Sequence, residues 1–286
     1  MVGIIGAGAM GGAIAATLAR AFIDVQVYDS DPARIRTAVA NGAKAATDAA
    51  TLVRACDPVM TSLPKSEVLV EVAEKWIIPN ARAGQTFIDL GTTVVEESRR
   101  IYSLLKAKGA AYIDAPVSGG RLGSAQGALY VFVGGDRDTA LKQWPLLSKL
   151  GGTRLTYCGP SGSGQIVKAV NQLAMGLVSA AYIECVAYGA RAGVDPMVLM
   201  EAIGDKSGFR QQFSETASRV ISGEGEALDT KYPEYKYFLQ EADNVGFPAP
   251  LLRALDGWLH RFPETERDNM GRPYPPYWSS LMNEKD

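Results

Sequence analysis

Histidine is almost absent from this sequence. One His (His260) and three Cys (Cys56, Cys158, Cys185) in 286 residues are too few to assemble a His/Cys zinc cluster, and no two cysteines stand in CxxC spacing, so no metal is expected. A Ser-His-Asp triad would rest entirely on His260. Excess charge is lacking too: 29 Lys+Arg against 31 Asp+Glu give a formal net charge of -2. Without a long basic run to supply a local field for a phosphate backbone, nucleic acid is not an expected partner. An odd number of widely spaced cysteines suits a reducing compartment. Val2-Gly3-Ile4-Ile5 follows Met1 without the basic region of a signal peptide, so the predicted location is cytoplasmic. The one long apolar stretch, residues 169–194, is interrupted by Asn171, Gln172, Glu184 and Arg191. It reads as a buried helix of a soluble protein, with no membrane involved. Internal repeats and low-complexity tracts are absent as well.

What is present is an ordinary globular composition, 47% hydrophobic and 21% charged, enough for a sizeable core. Up to about residue 160, short β-rich runs (Val2 to Ile5, Val25 to Tyr28, Val59 to Ser62, Thr86 to Leu90, Ala111 to Asp114, Leu129 to Val133, Arg154 to Cys158) alternate with helical stretches such as Asp31 to Asn41 and Val94 to Lys108. This alternation predicts an α/β fold with a parallel sheet covered by helices, a Rossmann dinucleotide-binding domain over residues 1–162. After Gly159-Pro160-Ser161-Gly162-Ser163-Gly164 the β runs stop and helical spacing of Ala, Leu and Met takes over. Residues 163–286 are therefore predicted to form an all-helical domain, led by a long helix over about 165–192 that would span about 42 Å at 1.5 Å per residue. The tail from about Phe262 to Asp286, rich in Pro, Tyr and polar residues, is predicted to wrap a surface without forming a helix.

Three clusters could carry chemistry. Gly6-Ala7-Gly8-Ala9-Met10-Gly11 is a GxGxxG set between a strand and an Ala-rich helix. Gly6 permits the tight turn, Gly8 lets a pyrophosphate approach the backbone, and Gly11 lets helix and strand pack closely. A second strand ends at Asp29, 18 residues after Gly11, where an acid would meet the adenosine ribose. Its carboxylate would repel a 2′-phosphate, so NAD is favoured over NADP, although Arg34 is near enough in sequence to reach such a phosphate. The second cluster, Asp114-Ala115-Pro116-Val117-Ser118-Gly119-Gly120, ends a β run and continues to Gly127 as a small-residue loop that could cradle an anion, or simply turn. In the third, Lys168, Asn171 and Gln172 follow Gly162-Ser163-Gly164 at i, i+3 and i+4 and share one helical face. Lys168 could snorkel, pair with a buried acid, or titrate at a site.

Together these motifs resemble the β-hydroxyacid dehydrogenase family (3-hydroxyisobutyrate dehydrogenase, tartronate semialdehyde reductase and relatives) from Val2 to about Leu255. Gly6-x-Gly8-x-Met10-Gly11-x-x-x-Ala15, Asp114-Ala-Pro-Val-Ser-Gly-Gly and Gly162-x-Gly164-x-x-x-Lys168 stand in the family's order and spacing, and Tyr235-Lys236-Tyr237 is a looser fourth match. The resemblance implies an active site in a cleft between a Rossmann domain and a helical domain, and hydride transfer between a nicotinamide cofactor and a small β-hydroxy acid. Carried over, Ser118, Gly119 and Gly120 would hold the substrate carboxylate, and Lys168 would be the catalytic acid/base. Asn171 would orient the substrate, with Gln172 and Lys236 beside it. Gly6, Gly8, Ala9, Met10, Gly11, Asp29, Leu63, Pro64, Thr92 and Lys236 would bind the cofactor. The family also implies a homodimer or homotetramer.

The sequence departs from the family pattern at Thr17 (usually Asn), Gly91 (usually Ser), Gln172 (often Asn), Tyr237 (usually Asp) and in the tail. An imine or keto reductase of a bulkier substrate and a non-catalytic dinucleotide-binding regulator are the alternative readings. Imine reductases lack the catalytic lysine, and 6-phosphogluconate dehydrogenases are longer and use a Lys-His pair.

Overall fold

The structure is a computed structural model that describes residues 1–223, 234–261, 266–267, 273–274 and 277–283. Its contacts divide the chain into two units, Met1–Ala169 and Val170–Asp286.

The first unit is built on one sheet of β1 (Val2–Ile5), β2 (Val25–Tyr28), β3 (Lys44–Ala45), β4 (Val59–Thr61), β5 (Thr86–Asp89), β6 (Ala111–Asp114), β7 (Val117–Ser118), β8 (Tyr130–Gly135) and β9 (Leu155–Gly159). The strand order is β3-β2-β1-β4-β5-β6-β8-β7, with β9 on β8. Its 3-2-1-4-5-6 portion is the doubly wound dinucleotide-binding order. Eight helices connect the strands: α1 (Ala9–Arg20), α2 (Pro32–Ala40), α3 (Ala49–Ala55), α4 (Ser66–Val72), α5 (Ile78–Asn80), α6 (Val95–Ala107), α7 (Gly120–Gln126) and α8 (Arg137–Gly151).

Two expectations need correction. Pairing is parallel from β3 to β6, but β8 runs antiparallel to β6, so the sheet is mixed. The reversal follows from β7, which pairs antiparallel with β8 through Val117↔Val131 and Ser118↔Tyr130. The segment read as a loop up to Gly127 contains this strand and α7, which ends on left-handed Gly127.

The sheet is buried on both faces, as βαβ crossovers require. Val2 and Ile4 of β1 face a core with Ile14 and Leu18 of α1 and Leu147 of α8, whereas Ile5 faces a second core with Leu52 of α3 and Ile101 of α6. Gly3 lets α3 approach β1, since a Cβ there would lie 2.5 Å from Leu52. Between α4 and α5 a π-helical turn covers Ala73–Ile77, and the Ile78 N–H donates to the Ala73 carbonyl. Pro79, which lacks an N–H, causes the change of pitch.

The second unit carries most of α9 (Ser163–Arg191), then α10 (Pro196–Ile203), α11 (Gly208–Ser222), α12 (Tyr235–Asn244) and α13 (Pro250–Leu259), followed by the short pair β10 (Glu266–Arg267) and β11 (Pro273–Tyr274) and then α14 (Tyr277–Asn283). Its core packs Val186 of α9 against Phe213 and Ala217 of α11, with Leu199, Met200 and Trp278 around them. The tail does form a helix, contrary to expectation, because its prolines precede α14 and none falls inside it. Tyr277 donates from its hydroxyl to Glu184 Oε2 at 3.3 Å, and Arg191 donates to the Leu281 carbonyl at 3.1 Å. Two of the polar interruptions of the apolar stretch are thus met by the tail.

The helix α9 is less buried than predicted. By length and composition it could cross a membrane, and a third of its most apolar 18-residue window is buried within the chain. Val170 and Tyr188 are 61% and 79% exposed.

Candidate functional site

The glycine turn after β1 is as tight as its sequence requires. Gly6 has a φ of 97°, and a Cβ there would lie 2.3 Å from the Ser62 carbonyl oxygen. A Cβ on Gly11 would lie 1.9 Å from the Gly6 carbonyl oxygen, so helix and turn could not approach each other with any other residue. Gly8 is different: the nearest atom to a Cβ there would be Arg34 Nη1 at 3.6 Å. The backbone at Gly8 is therefore open to an incoming group, at the N-terminus of a 12-residue helix with no side-chain cap.

Asp29 lies beside this turn. Its Oδ2 accepts the Ala7 N–H at 2.7 Å and its Oδ1 accepts the Asp31 N–H at 2.9 Å. Arg34 stands 3.8 Å from Asp29 Oδ2 and 3.5 Å from Asp31, half exposed. Buried Asp29 thus has each oxygen bonded once, with a lone pair remaining on each. Ala9 is exposed, while Met10 packs on the core. Leu63 borders both Gly6 and Gly91, and Pro64, next to it in the chain, is exposed.

Asp89 and Asp114 end β5 and β6 in register with each other. Asp89 accepts hydroxyl protons from Thr61 and Thr93, both at 2.8 Å, and the Gly91 N–H at 3.1 Å. Asp114 accepts the Gly162 and Gln165 N–H groups at 2.9 and 3.2 Å, and so caps the start of α9. Burial pushes each carboxyl up to about 6, against the pull of these donors. Both glycines of the third motif serve this contact: Gly162 has a φ of 89°, and a Cβ on Gly164 would lie 2.3 Å from the Phe132 carbonyl oxygen.

On the second turn of α9, Lys168 is buried, and its Nζ donates to the Val117 carbonyl at 2.9 Å. The second and third motifs therefore meet at this bond, one residue before Ser118. Gly119 and Gly120, with φ of 128° and 60°, carry the chain from Ser118 into α7. Thr92 is half-buried in the loop that follows β5.

Further along α9, in the second unit, Gln172 is buried and Asn171 half-buried, with Asn171 Nδ2 3.7 Å from Met175 Sδ. Lys236, on α12, is exposed, and its ammonium lies 5.1 Å from the Tyr237 ring centre. His260 makes a local contact at the end of α13, its Nδ1 2.8 Å from the Asp256 carbonyl oxygen. Among the described residues no group of three or more His, Cys, Asp or Glu is arranged to hold a metal ion.

Sequence reasoning missed the roles of Thr17 and Gln165. Thr17 donates to the Ser124 carbonyl at 2.8 Å and accepts from Arg20, which ties α1 to α7. Gln165 joins the Gly91–Thr93 loop to α9, and the only trace of this in the sequence is its position between Gly164 and Lys168.

Comparison with known proteins agrees with this geometry. Residues 1–159 match the family described as the NAD binding domain of 6-phosphogluconate dehydrogenase, and residues 162–269 match that described as NAD-binding of NADP-dependent 3-hydroxyisobutyrate dehydrogenase. A 2-(hydroxymethyl)glutarate dehydrogenase of Eubacterium barkeri is 29% identical over 87% of this chain and 85% of its own. A 3-hydroxyisobutyrate dehydrogenase of Pseudomonas aeruginosa is 31% identical over 72% of this chain and 70% of its own. In fold, the chain is similar to Mycobacterium tuberculosis 3-hydroxyisobutyrate dehydrogenase, solved with L-serine, with a TM-score of 0.81 at 23% identity over 98% and 97% of the two chains. A glycine turn built for a dinucleotide and these matches lead to one conclusion: the chain belongs to the 3-hydroxyisobutyrate dehydrogenase family, nicotinamide-dependent oxidoreductases that act on the CH–OH group of small hydroxy acids.

Proposed function

We propose that this protein is an NAD-dependent dehydrogenase or reductase of a small β-hydroxy acid, with Lys168 as its general acid/base. The observation that carries this reading is the buried Lys168 ammonium, held on the Val117 carbonyl immediately before Ser118. A lysine amine kept from water on α9 is costly to bury, and proton transfer gives it a use.

The open backbone at Gly8 and the first turn of α1, through Ala9, Met10 and Gly11, bind the pyrophosphate of the cofactor, and the two remaining lone pairs of Asp29 accept from the ribose hydroxyls. The nicotinamide supplies a hydride acceptor or donor at C4. Leu63, Pro64 and Thr92 border the nicotinamide end, and Lys236 contributes to cofactor and substrate binding. Ser118, Gly119 and Gly120 hold the substrate carboxylate, and Asn171 and Gln172 orient its hydroxyl end. In oxidation the neutral amine of Lys168 takes the hydroxyl proton at Nζ and becomes the ammonium; in reduction the ammonium returns that proton to the new alkoxide oxygen. The protein works in the cytoplasm as a homodimer or homotetramer, away from membranes and nucleic acid.

NAD is preferred over NADP because the Asp29 carboxylate faces the position of a 2′-phosphate, and Arg34 is already engaged by Asp29 and Asp31. The test is kcat/KM with both cofactors against 3-hydroxyisobutyrate, 2-(hydroxymethyl)glutarate and L-serine. NAD-linked turnover of at least one of these acids, with Asp29→Ala narrowing the gap to NADP, is the expected result. Equal or better use of NADP by the unaltered protein overturns the role of Asp29, and turnover of none of the acids overturns the substrate class.

A further inference from the structure

Gln165 is 2% exposed, and both ends of its carboxamide are used. Nε2 donates to the Gly91 carbonyl at 3.0 Å and lies 3.5 Å from Asp89 Oδ2, while Oε1 accepts the Thr93 N–H at 3.0 Å. Its backbone N–H donates to Asp114. One side chain therefore holds both neighbours of Thr92, and it does so from the helical turn that precedes Lys168. The Gly91–Thr93 loop does not need Gln165 for its shape, because Asp89 already binds the Gly91 N–H and the Thr93 hydroxyl. What Gln165 adds is a link from that loop to α9.

We propose that Gln165 is a positioning residue whose carboxamide locks the Thr92 loop to the first turns of α9, so that Thr92 and Lys168 are presented to the reactants as one rigid piece. This rests on the reading of Lys168 as acid/base and of Thr92 as a neighbour of the nicotinamide. The choice of residue has a chemical reason. A carboxamide donates and accepts at the same reach, whereas an ionised carboxylate cannot donate to the Gly91 carbonyl and an aliphatic side chain can do neither. At a site closed to water, the Thr93 N–H left by such a change would have no replacement partner. A small displacement of positioned groups is enough to cost a large factor in rate, on the order of a hundredfold for 1 Å.

Gln165→Leu in the full chain tests this through two independent readouts. In the protein alone, hydrogen exchange at the Thr93 amide is expected to accelerate at least tenfold, while amides within β4 and β5 keep their protection. In turnover of the best acid from the substrate screen, kcat is expected to fall about tenfold or more, with KM for the acid changed less than about threefold and the affinity for NADH, read from its fluorescence, weakened. Should the leucine variant fail to fold, Gln165→Met, unbranched and of similar length, removes both bonds with less change of shape; it is expected to show the same faster Thr93 exchange and lower kcat, and a methionine variant that shows neither change overturns the proposal. Unchanged Thr93 exchange in a folded leucine variant, or faster exchange with ordinary kcat and NADH affinity, overturns the proposal. A fully active Lys168→Ala protein would instead defeat the acid/base reading, and the lock would then stand or fall on Thr93 exchange and NADH affinity.

Discussion

The first turns of α9 and the rest of the helix are held differently. Its first turns are tied by polar contacts: Asp114 caps the N–H groups of Gly162 and Gln165, Gln165 reaches Gly91 and Thr93, and Lys168 reaches Val117. The remainder is largely apolar: the tail bonds it at Glu184 and Arg191, and its outer face, with Val170, Met175, Val178 and Tyr188, the chain leaves exposed. Directional bonds fix a position to within tenths of an ångström, whereas apolar contact fixes only that a surface is covered. Hydrogen bonds thus set the position of Lys168, and the hydrophobic surface beyond it is left for whatever covers it.

Substitutions in the two parts separate these roles. The largest effect is expected at Lys168: Lys168→Ala lowers kcat by at least about a hundredfold while NADH affinity stays nearly unchanged, the usual contribution of a positioned proton-transfer group. Retained kcat in a folded variant would reduce the bonded turn to a structural anchor. Asp114 comes next. Its carboxyl is raised from 3.8 to about 6, so the native state binds the proton more tightly than the unfolded chain does. The stability it contributes is fully present below about pH 4 and is lost as pH rises through about 6, an effect on the order of 2–3 kcal/mol. In urea titrations from pH 4 to 7, the stability of the unaltered protein relative to Asp114→Asn should fall by that order. A flat difference would mean that Asp114 titrates at its ordinary value.

On the apolar outer face, Val178→Glu should leave the monomer folded and lower the mass measured by light scattering, because Val178 is 43% exposed within one chain. An unchanged mass would show that this face is not buried between copies. The smallest effect belongs to the tail, where Tyr277→Phe removes one hydrogen bond to Glu184 and should cost about 1 kcal/mol in chemical denaturation, with kcat/KM ratios across substrates unaltered. A shift in those ratios would extend the tail's influence to substrate choice.

The parts legible in the sequence are those that depend on local pattern. Seven strands announced themselves as short β-rich runs and the glycine turn by its spacing, because period and φ requirements are properties of neighbouring residues. Strand direction is not such a property. The 15-residue connection from Ala115 to Leu129 permits either direction, and pairing of β7 with β8 decides it. The two-residue strands β3 and β7 are too short to leave a period at all. The tail misled for a related reason, since proline excludes a helix interior but says nothing of the residues just beyond it. Gln165 was illegible because its partners, the backbone of Gly91 and Thr93, lie more than 70 positions away and carry no side-chain signature.

The bonds of the first turns of α9 also bear on recombination between homologues. A chimera joined at the Gly162 turn, where the β pattern ends, would take Gln165 and Lys168 from one parent and Asp89, Asp114, Thr93 and Val117 from the other, so the bonds of Gln165 and Lys168 to these residues would cross between parents. A junction after Ala169 keeps all of them from a single parent. Exchange of helical partners to alter substrate range is therefore best made about two turns into the helix, beyond the point where the composition changes.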